Sequence, residues 1–171
     1  FEAAAAWGAA IFVHPLRPAD LARLVGPPAL EQVLAFPGEI GLAGASLVTS
    51  GLLAALPGLR IALSHGGGTL ALLLPRLRHA RGCVPPVREA LPHDPLDDVR
   101  RLWIDDLVYD RATLRHLIDT FGADRVMAGT DYPFSIMDID PAGRIDACDL
   151  DDATRRALRG GNARRWLGLP A

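Results

Sequence analysis

The sequence predicts an α/β fold with parallel strands, and three observations support that prediction. Short, nearly continuous apolar runs alternate with longer stretches of helical periodicity, which is typical of strands covered on both faces. Three of the four runs end at a histidine or an aspartate that is followed by glycine, proline or an aromatic residue. Half of the 171 residues are hydrophobic and 22% are charged, so the chain can bury one core and lacks the composition of a disordered segment.

The four apolar runs are predicted to be strands at residues 10–13, 59–64, 102–105 and 125–130. The first run is closed by His14 and Pro15, the second by His65 and three glycines, and the fourth by Asp131. The shortness of each run favours a strand over a buried helix.

Helical periodicity fills the stretches between these strands. Helices are predicted at residues 2–7, 29–36, 39–56, 69–81, 111–121, 151–159 and 162–167. Pro75 is predicted to kink or break the helix that contains it. The proline-rich segment 82–95 and the residues after Asp131 are predicted to be loops. No linker interrupts the alternation, so residues 1–171 are expected to form a single domain.

Composition excludes several classes of function. The net charge is -2 and there is no basic run, which argues against nucleic acid as a partner. No apolar stretch approaches the roughly 20 residues of a membrane-spanning helix, so no membrane partner is expected. All 18 basic residues are arginine, which excludes Schiff-base, P-loop and metal-bridging lysines.

Two cysteines, Cys83 and Cys148, are too few and too far apart for a disulfide framework. They fit a reducing, cytoplasmic setting. The arginine- and alanine-rich composition without lysine suggests a bacterial source.

His14, His65 and Asp131 are the candidate functional residues, because each follows directly after a predicted strand. In parallel α/β folds, ligands bind at the carboxyl ends of the strands. Imidazole and carboxylate groups both bind zinc-like ions, and a bound ion makes water a usable nucleophile or base. Taken singly, each residue could instead be a hydrogen-bonded turn residue or a helix cap. Asp105, at the end of the third strand, could support the site or lie exposed in a turn.

Other chemistries have less support. The three glycines could cradle a phosphate, but they lack the Gly-x-Gly-x-x-Gly spacing and a following lysine. None of the four serines lies in a Gly-x-Ser-x-Gly elbow. His79 and His116 lie in arginine-rich helical stretches, where a solvated helix face is the simpler interpretation.

Four segments together resemble the amidohydrolase-2 group of the amidohydrolase superfamily, typified by aminocarboxymuconate-semialdehyde decarboxylase. These segments are FVHP at 12–15, SHGGG at 64–68, GTDYPF at 129–134 and GNARRWLGL at 161–169. The resemblance implies a (β/α)8 TIM-type barrel, of which this chain supplies about strands 5–8 and their helices. It also implies one divalent metal, usually zinc, with manganese as the alternative.

The resemblance further implies a role for each of five residues. His14 and Asp131 would be metal ligands, and His65 would be the catalytic residue that handles a proton beside them. Asp131 would take part in catalysis through the metal. Phe134 would line the substrate pocket. Arg76 would hold a substrate carboxylate in a neighbouring subunit, although a surface helix arginine is the equal alternative.

The implied activity is non-oxidative decarboxylation, or hydrolysis, of a small carboxylated unsaturated or aromatic acid. A hydratase or a lactone hydrolase on the same scaffold is the alternative. The sequence has no His-x-His motif, which supplies two more ligands in the family, and no material for strands 1–4. The chain could therefore be a non-catalytic fragment, pair with a missing N-terminal half, or form a homodimer. Asp106 also departs from the family pattern, which often has a small hydroxyl residue there.

Overall fold

The computed structural model describes residues 1–19 and 21–170. Its centre is a four-stranded parallel sheet of β1 (Ala10–Val13), β2 (Arg60–Leu63), β3 (Trp103–Asp105) and β4 (Val126–Met127). The strands lie in the order β1-β2-β3-β4. Each strand is thus added on the same side of its predecessor, and the order does not reverse as it does in a doubly wound sheet. This is the succession found in a (β/α) barrel.

Ten α-helices belong to the described part of the chain. They are α1 (Glu2–Trp7), α2 (Phe36–Thr49), α3 (Leu52–Ala55), α4 (Leu70–Cys83), α5 (Pro85–Ala90), α6 (Pro95–Val99), α7 (Arg111–Phe121), α8 (Pro141–Asp146), α9 (Asp152–Arg156) and α10 (Asn162–Leu167). Two π-helical segments, Glu31–Ala35 and Ala157–Gly161, lead into α2 and α10. Short 3-10 turns lie at Leu21–Arg23 and His65–Gly67.

The two faces of the sheet pack against different parts of the chain. Alternate strand residues such as Ile61, Leu63 and Ile104 join a large apolar core that includes residues of α2, α4 and α7. The opposite face carries Ala62, Trp103 and Met127, which pack against Ala163 and Trp166 of α10. The indole nitrogen of Trp166 donates to the carbonyl of Arg60 at the start of β2. Helix α10 therefore covers this face of the sheet, and its Ala163 and Trp166 also reach the cleft that includes His14.

The predicted strands and α7 are confirmed, although β2, β3 and β4 are shorter than predicted. The structure corrects the helix boundaries between β1 and β2. Residues 31–49 are helical without the break predicted at 37–38, because the π-helical segment Glu31–Ala35 leads directly into α2, in which Pro37 is the second residue. The helix ends instead at Thr49, since Gly51 has a φ of 73° and precedes the separate helix α3.

Proline positions require two corrections. Helix α4 continues through Pro75, so the predicted break is absent there. The segment 82–95, predicted as a loop, contains the end of α4 and all of α5, and Pro95 begins α6. The prolines at 85, 86 and 95 stand in first helical turns, where proline favours a helix start. Likewise, the loop predicted after Asp131 contains α8, which Asp140 caps by accepting from the N–H of Gly143.

Among the described residues, no helix is both long and apolar enough to cross a membrane. The two cysteines are free thiols, with Cys83 exposed and Cys148 buried.

The core makes a direct prediction for helix α7. Leu114 is fully buried, so Leu114→Ala should lower the free energy of unfolding by about 2–5 kcal/mol, through lost transfer energy and a residual cavity. The matched variant Leu72→Ala removes the same atoms from a side chain that is 74% exposed, and should change stability by no more than about 0.5 kcal/mol. Urea unfolding monitored by circular dichroism measures both. Equal losses in the two variants would contradict this packing.

Candidate metal centre

The three residues singled out by the sequence lie together at the carboxyl ends of the strands. His14, His65 and Asp131 each offer a ligand atom, and these atoms all lie within 4.8 Å of one another. Asp131 stands between the two histidines. Its carboxylate oxygens are 3.9 Å from Nε2 of His14 and 3.5 Å from Nε2 of His65. Parallel neighbouring strands thus bring together residues that are up to 117 positions apart in the sequence.

Two of these residues have an unusual backbone conformation. His65 has a φ of 53° and Asp131 a φ of 55°, in the left-handed region that residues with a Cβ rarely adopt. Such strain persists only where the surrounding structure imposes it, and it is concentrated at functional sites. The backbone turns sharply at these positions, just where each side chain leaves its strand.

A backbone carbonyl next to His14 determines which of its two ring nitrogens is available to a ligand. Its Nδ1 lies 2.7 Å from the carbonyl oxygen of Pro15. A carbonyl can only accept, so Nδ1 carries the proton and Nε2 keeps a lone pair for a ligand. Phe36 packs edge-on against the ring of His14 and is stacked with the ring of His65, at centroid distances of 6.0 and 6.3 Å.

Asp105 holds the turn that carries His65. The carboxylate accepts from the backbone N–H groups of His65 at 3.0 Å, Gly66 at 2.7 Å and Leu107 at 3.2 Å. Burial raises the pKa of Asp105 to about 7, and the three N–H donors oppose that rise. Of the two interpretations left open by the sequence, a supporting role fits and an exposed turn does not.

The pKa of His65 is lowered, chiefly because burial disfavours the charged imidazolium. The neighbouring Asp131 partly offsets this effect, and His14 adds to it. The neutral imidazole is the form that can bind a metal or accept a proton.

A cleft of about 690 Å³ opens beside this cluster. Its wall includes His14, Asp131 and Phe134, whereas His65 is not among the lining residues. Gln32 and Phe36 also line it, at the junction of the π-helical segment and α2. Little in the sequence indicates these two residues, although π-helical segments often occur at functional sites.

Arg76 is exposed on α4 and does not line the cleft. The structure therefore clusters His14, His65 and Asp131, places Phe134 on the cleft wall beside His14 and Asp131, and leaves Arg76 outside. Sequence reasoning also missed Arg144, which contacts the buried Asp106 next to Asp105. The basic residue opposite Asp106 lies 38 positions away, so no local pattern indicates the pair.

The donor set fits a divalent metal ion. Zinc binds imidazole nitrogen and carboxylate oxygen at about 2.0–2.2 Å, so ligand atoms within 4.8 Å of each other can share one ion. His14 has its proton on the nitrogen that faces away, as a metal-binding histidine requires. His14 and Asp131 alone would supply two protein ligands, one fewer than the three of a typical catalytic zinc site.

Comparison with known proteins adds a family match. The amidohydrolase-2 family model, described as Amidohydrolase, matches residues 1–169. The 2-amino-3-carboxymuconate-6-semialdehyde decarboxylase of Dictyostelium discoideum is 31% identical over 99% of this chain and 47% of its own length. The chain therefore spans about half the length of the curated relatives it matches first.

Two solved structures are similar in fold. The apo IDCase of Metarhizium anisopliae aligns with a TM-score of 0.85 and 29% identity, over 98% of this chain and 50% of that one. The dihydroxybenzoic acid decarboxylase of Polaromonas sp. JS666, with bound manganese and the inhibitor 2-nitroresorcinol, aligns with a TM-score of 0.82 and 25% identity, over 98% and 52%. These alignments confirm the predicted fold class, a (β/α)8 barrel type of which this chain supplies about half.

The glycine run after His65 predicts a sharp contrast between two glycine variants. Gly68 has a φ of 60°, and an added Cβ would lie 2.0 Å from the carbonyl oxygen of Pro37. Gly68→Ala should therefore lower the free energy of unfolding by more than about 1 kcal/mol. Gly82→Ala is the control, because Gly82 is helical with nothing within 4 Å of the added Cβ. It should stabilise by up to about 1 kcal/mol. Thermal unfolding measures both, and a neutral Gly68→Ala would contradict the close approach of α2.

Proposed function

Because the chain belongs to the amidohydrolase-2 family, we propose that it carries half of the active site of a metal-dependent, non-oxidative decarboxylase. Its substrate would be a small carboxylated unsaturated or aromatic acid. One observation carries the proposal: two imidazoles and a carboxylate converge within 4.8 Å at a cleft. The names of the relatives, which are decarboxylases of such acids, support it.

His14 and Asp131 would hold the metal ion, as the resemblance implies. When bound, a divalent ion would supply a positive charge that polarises substrate oxygens and lowers the pKa of bound water. His14 is suited to this role because its Nδ1 is engaged by the carbonyl of Pro15, which leaves Nε2, 3.9 Å from Oδ1 of Asp131, available to a ligand. Asp131 is suited because its two oxygens face the two histidines.

His65 would handle the proton. In a non-oxidative decarboxylation, the bond between carbon and carboxylate breaks, its electron pair stays on the carbon, and a proton takes the place of the departing carbon dioxide. Burial lowers the pKa of His65, so its protonated form is a stronger acid than free imidazolium. That acidity suits donation to carbon. Asp105 would hold the imidazole in place through the backbone of residues 65 and 66.

Substrate binding would use both apolar walls and a positive charge. Phe36 and Phe134 on the cleft wall offer flat apolar surfaces for an unsaturated or aromatic acid. Exclusion of water by these rings would strengthen the charge interactions inside the site. Arg76 lies outside this cleft, so it would bind a carboxylate only in the site of a neighbouring subunit, where a guanidinium can grip it with two hydrogen bonds.

Several finer expectations belong to this proposal. Zinc is the expected ion and manganese, which the solved relative from Polaromonas contains, is the alternative. Because the sequence lacks the His-x-His motif, the chain is expected either to pair with a missing N-terminal half that completes the metal site or to form a homodimer. The hydrolase, hydratase and lactone hydrolase alternatives, the cytoplasmic setting and the bacterial source stay predictions.

Metal content tests the proposal first. His14→Ala and Asp131→Ala should each abolish bound metal, since each removes a ligand from a small set. Elemental analysis after dialysis against a weak chelator measures the stoichiometry. His79→Ala and Asp119→Ala are matched controls, because both side chains are exposed outside the cluster, and they should keep the metal content of the wild type. An unchanged metal content in both ligand variants would contradict the assignment of His14 and Asp131 as ligands. Absence of metal from every form would favour the non-catalytic fragment.

Arg76 has a test in the assembled enzyme. Arg76→Met should raise KM for a dicarboxylic substrate by roughly 10-fold or more with a smaller effect on kcat, because a binding contact is lost. Arg78→Met is the matched control, an exposed arginine two positions along α4 that is paired with Asp94. Steady-state release of carbon dioxide measures both variants. Equal KM values for the two would show that Arg76 is a surface arginine.

A further inference from the structure

A second group of buried charges lies next to the metal centre. The side chain of Asp106 is fully buried, and those of Arg144 and Asp138 are 9% and 14% exposed. Arg144 stands between the two carboxylates. Its Nη2 donates to Oδ1 of Asp106 at 2.8 Å, and its other terminal nitrogen forms an ion pair with Asp138.

This group joins the end of β3 to the segment that carries Asp131. Oδ1 of Asp106 also accepts from the backbone N–H of Gly129 at 2.8 Å. At the other end of the segment, the N–H of Asp138 donates to the carbonyl of Thr130 at 2.8 Å. Residues 130–138 are therefore closed by their own backbone, and the segment is linked to Asp106 directly at Gly129 and through Arg144 at Asp138.

Arg144 is presented to these carboxylates by a capped helix. Asp138 accepts from the N–H of Asp140, and Asp140 in turn caps α8 through the N–H of Gly143. The same segment has a further tether, because the hydroxyl of Tyr109 donates to the carbonyl of Ile136 at 2.7 Å. Residues from β3, the Asp131 segment and α8 thus form one connected set.

Because Asp106 is buried, its carboxylate needs the positive charge of Arg144. A buried carboxylate is tolerated when it is paired and hydrogen-bonded. Without Arg144, Asp106 and Asp138 would be two buried acids without their common counter-charge. The segment could relieve this by moving toward water, and Asp131 would move with it.

We propose that Asp106 and Arg144 are positioning residues that hold Asp131 in register with His14 and His65 for metal binding, and Phe134 against the cleft. This inference rests on the proposed metal site. It adds a determinant of that site, on β3 and α8, that touches neither metal nor substrate.

The test is Mn²⁺ titration of the metal-depleted, full-length protein. Arg144→Met and Asp106→Asn should each weaken Mn²⁺ binding by about 10- to 100-fold, the usual effect of losing a group that orients a ligand. Asp106→Asn keeps the shape of the side chain and an acceptor for Gly129, so it remains informative if Arg144→Met does not fold. Arg155→Met is the control, since Arg155 forms ion pairs with Asp146 and Asp152 and does not line the cleft. It should bind Mn²⁺ as the wild type does.

Amide hydrogen exchange in the metal-free protein provides a readout independent of the ion. The N–H groups of Gly129 and Asp138 should exchange roughly 10-fold faster or more in Arg144→Met and Asp106→Asn, because local opening is easier. The N–H of Ile104, which donates to the carbonyl of Arg125, should keep its protection. Faster exchange throughout the chain with unchanged Mn²⁺ affinity would reveal a merely structural role and overturn the proposal.

The metal site and the positioning role can be refuted separately. If the wild type does not bind Mn²⁺, the metal assignment fails and the positioning role falls with it. If the wild type binds Mn²⁺ and both variants bind it equally tightly, the positioning role alone is refuted and the metal assignment stands.

Discussion

The arrangement of the site depends on one buried carboxylate. Asp105 accepts three backbone N–H groups and so fixes the turn after β2 to the end of β3. Without those bonds, buried donors at residues 65 and 66 would lack partners, at a cost of about 1–3 kcal/mol each. The same bonds hold His65 at its positive φ. Close packing extends to the next strand, because a Cβ on Gly129 would lie 2.7 Å from the Cβ of Asp105.

Two adjacent acids at the end of β3 therefore bind the segments that follow the strands on either side of β3. Asp105 binds the turn that carries His65, and Asp106 binds the segment that carries Asp131. The first uses backbone donors alone, whereas the second also has a guanidinium as its counter-charge. The residues of the candidate metal centre lie on loops, and the more rigid strand β3 between these loops holds them in place. Precise ligand geometry requires such rigid support.

Much of this could be predicted from the sequence. The apolar runs located all four strands, and the helical stripe of α7 was predicted to the residue. His14, His65 and Asp131 were identified because the ends of parallel strands meet at one edge. The errors concern proline and glycine. Pro85 and Pro86 begin a helix where the sequence predicts a loop, since a first-turn proline gives up no hydrogen bond. Whether a proline falls in a first turn depends on where packing starts the helix.

By itself, the sequence determined the α/β class, the positions of the strands along the chain and the three candidate residues that follow them, because these depend on local periodicity and residue type. Only the tertiary structure decided what supports them. The sequence is equally compatible with Asp105 as an exposed turn residue, and only the structure shows that it accepts three N–H groups. No sequence pattern connects Arg144 with Asp106, which lies 38 positions away. Such contacts depend on burial, and burial is set by the packing of distant elements that no local pattern contains.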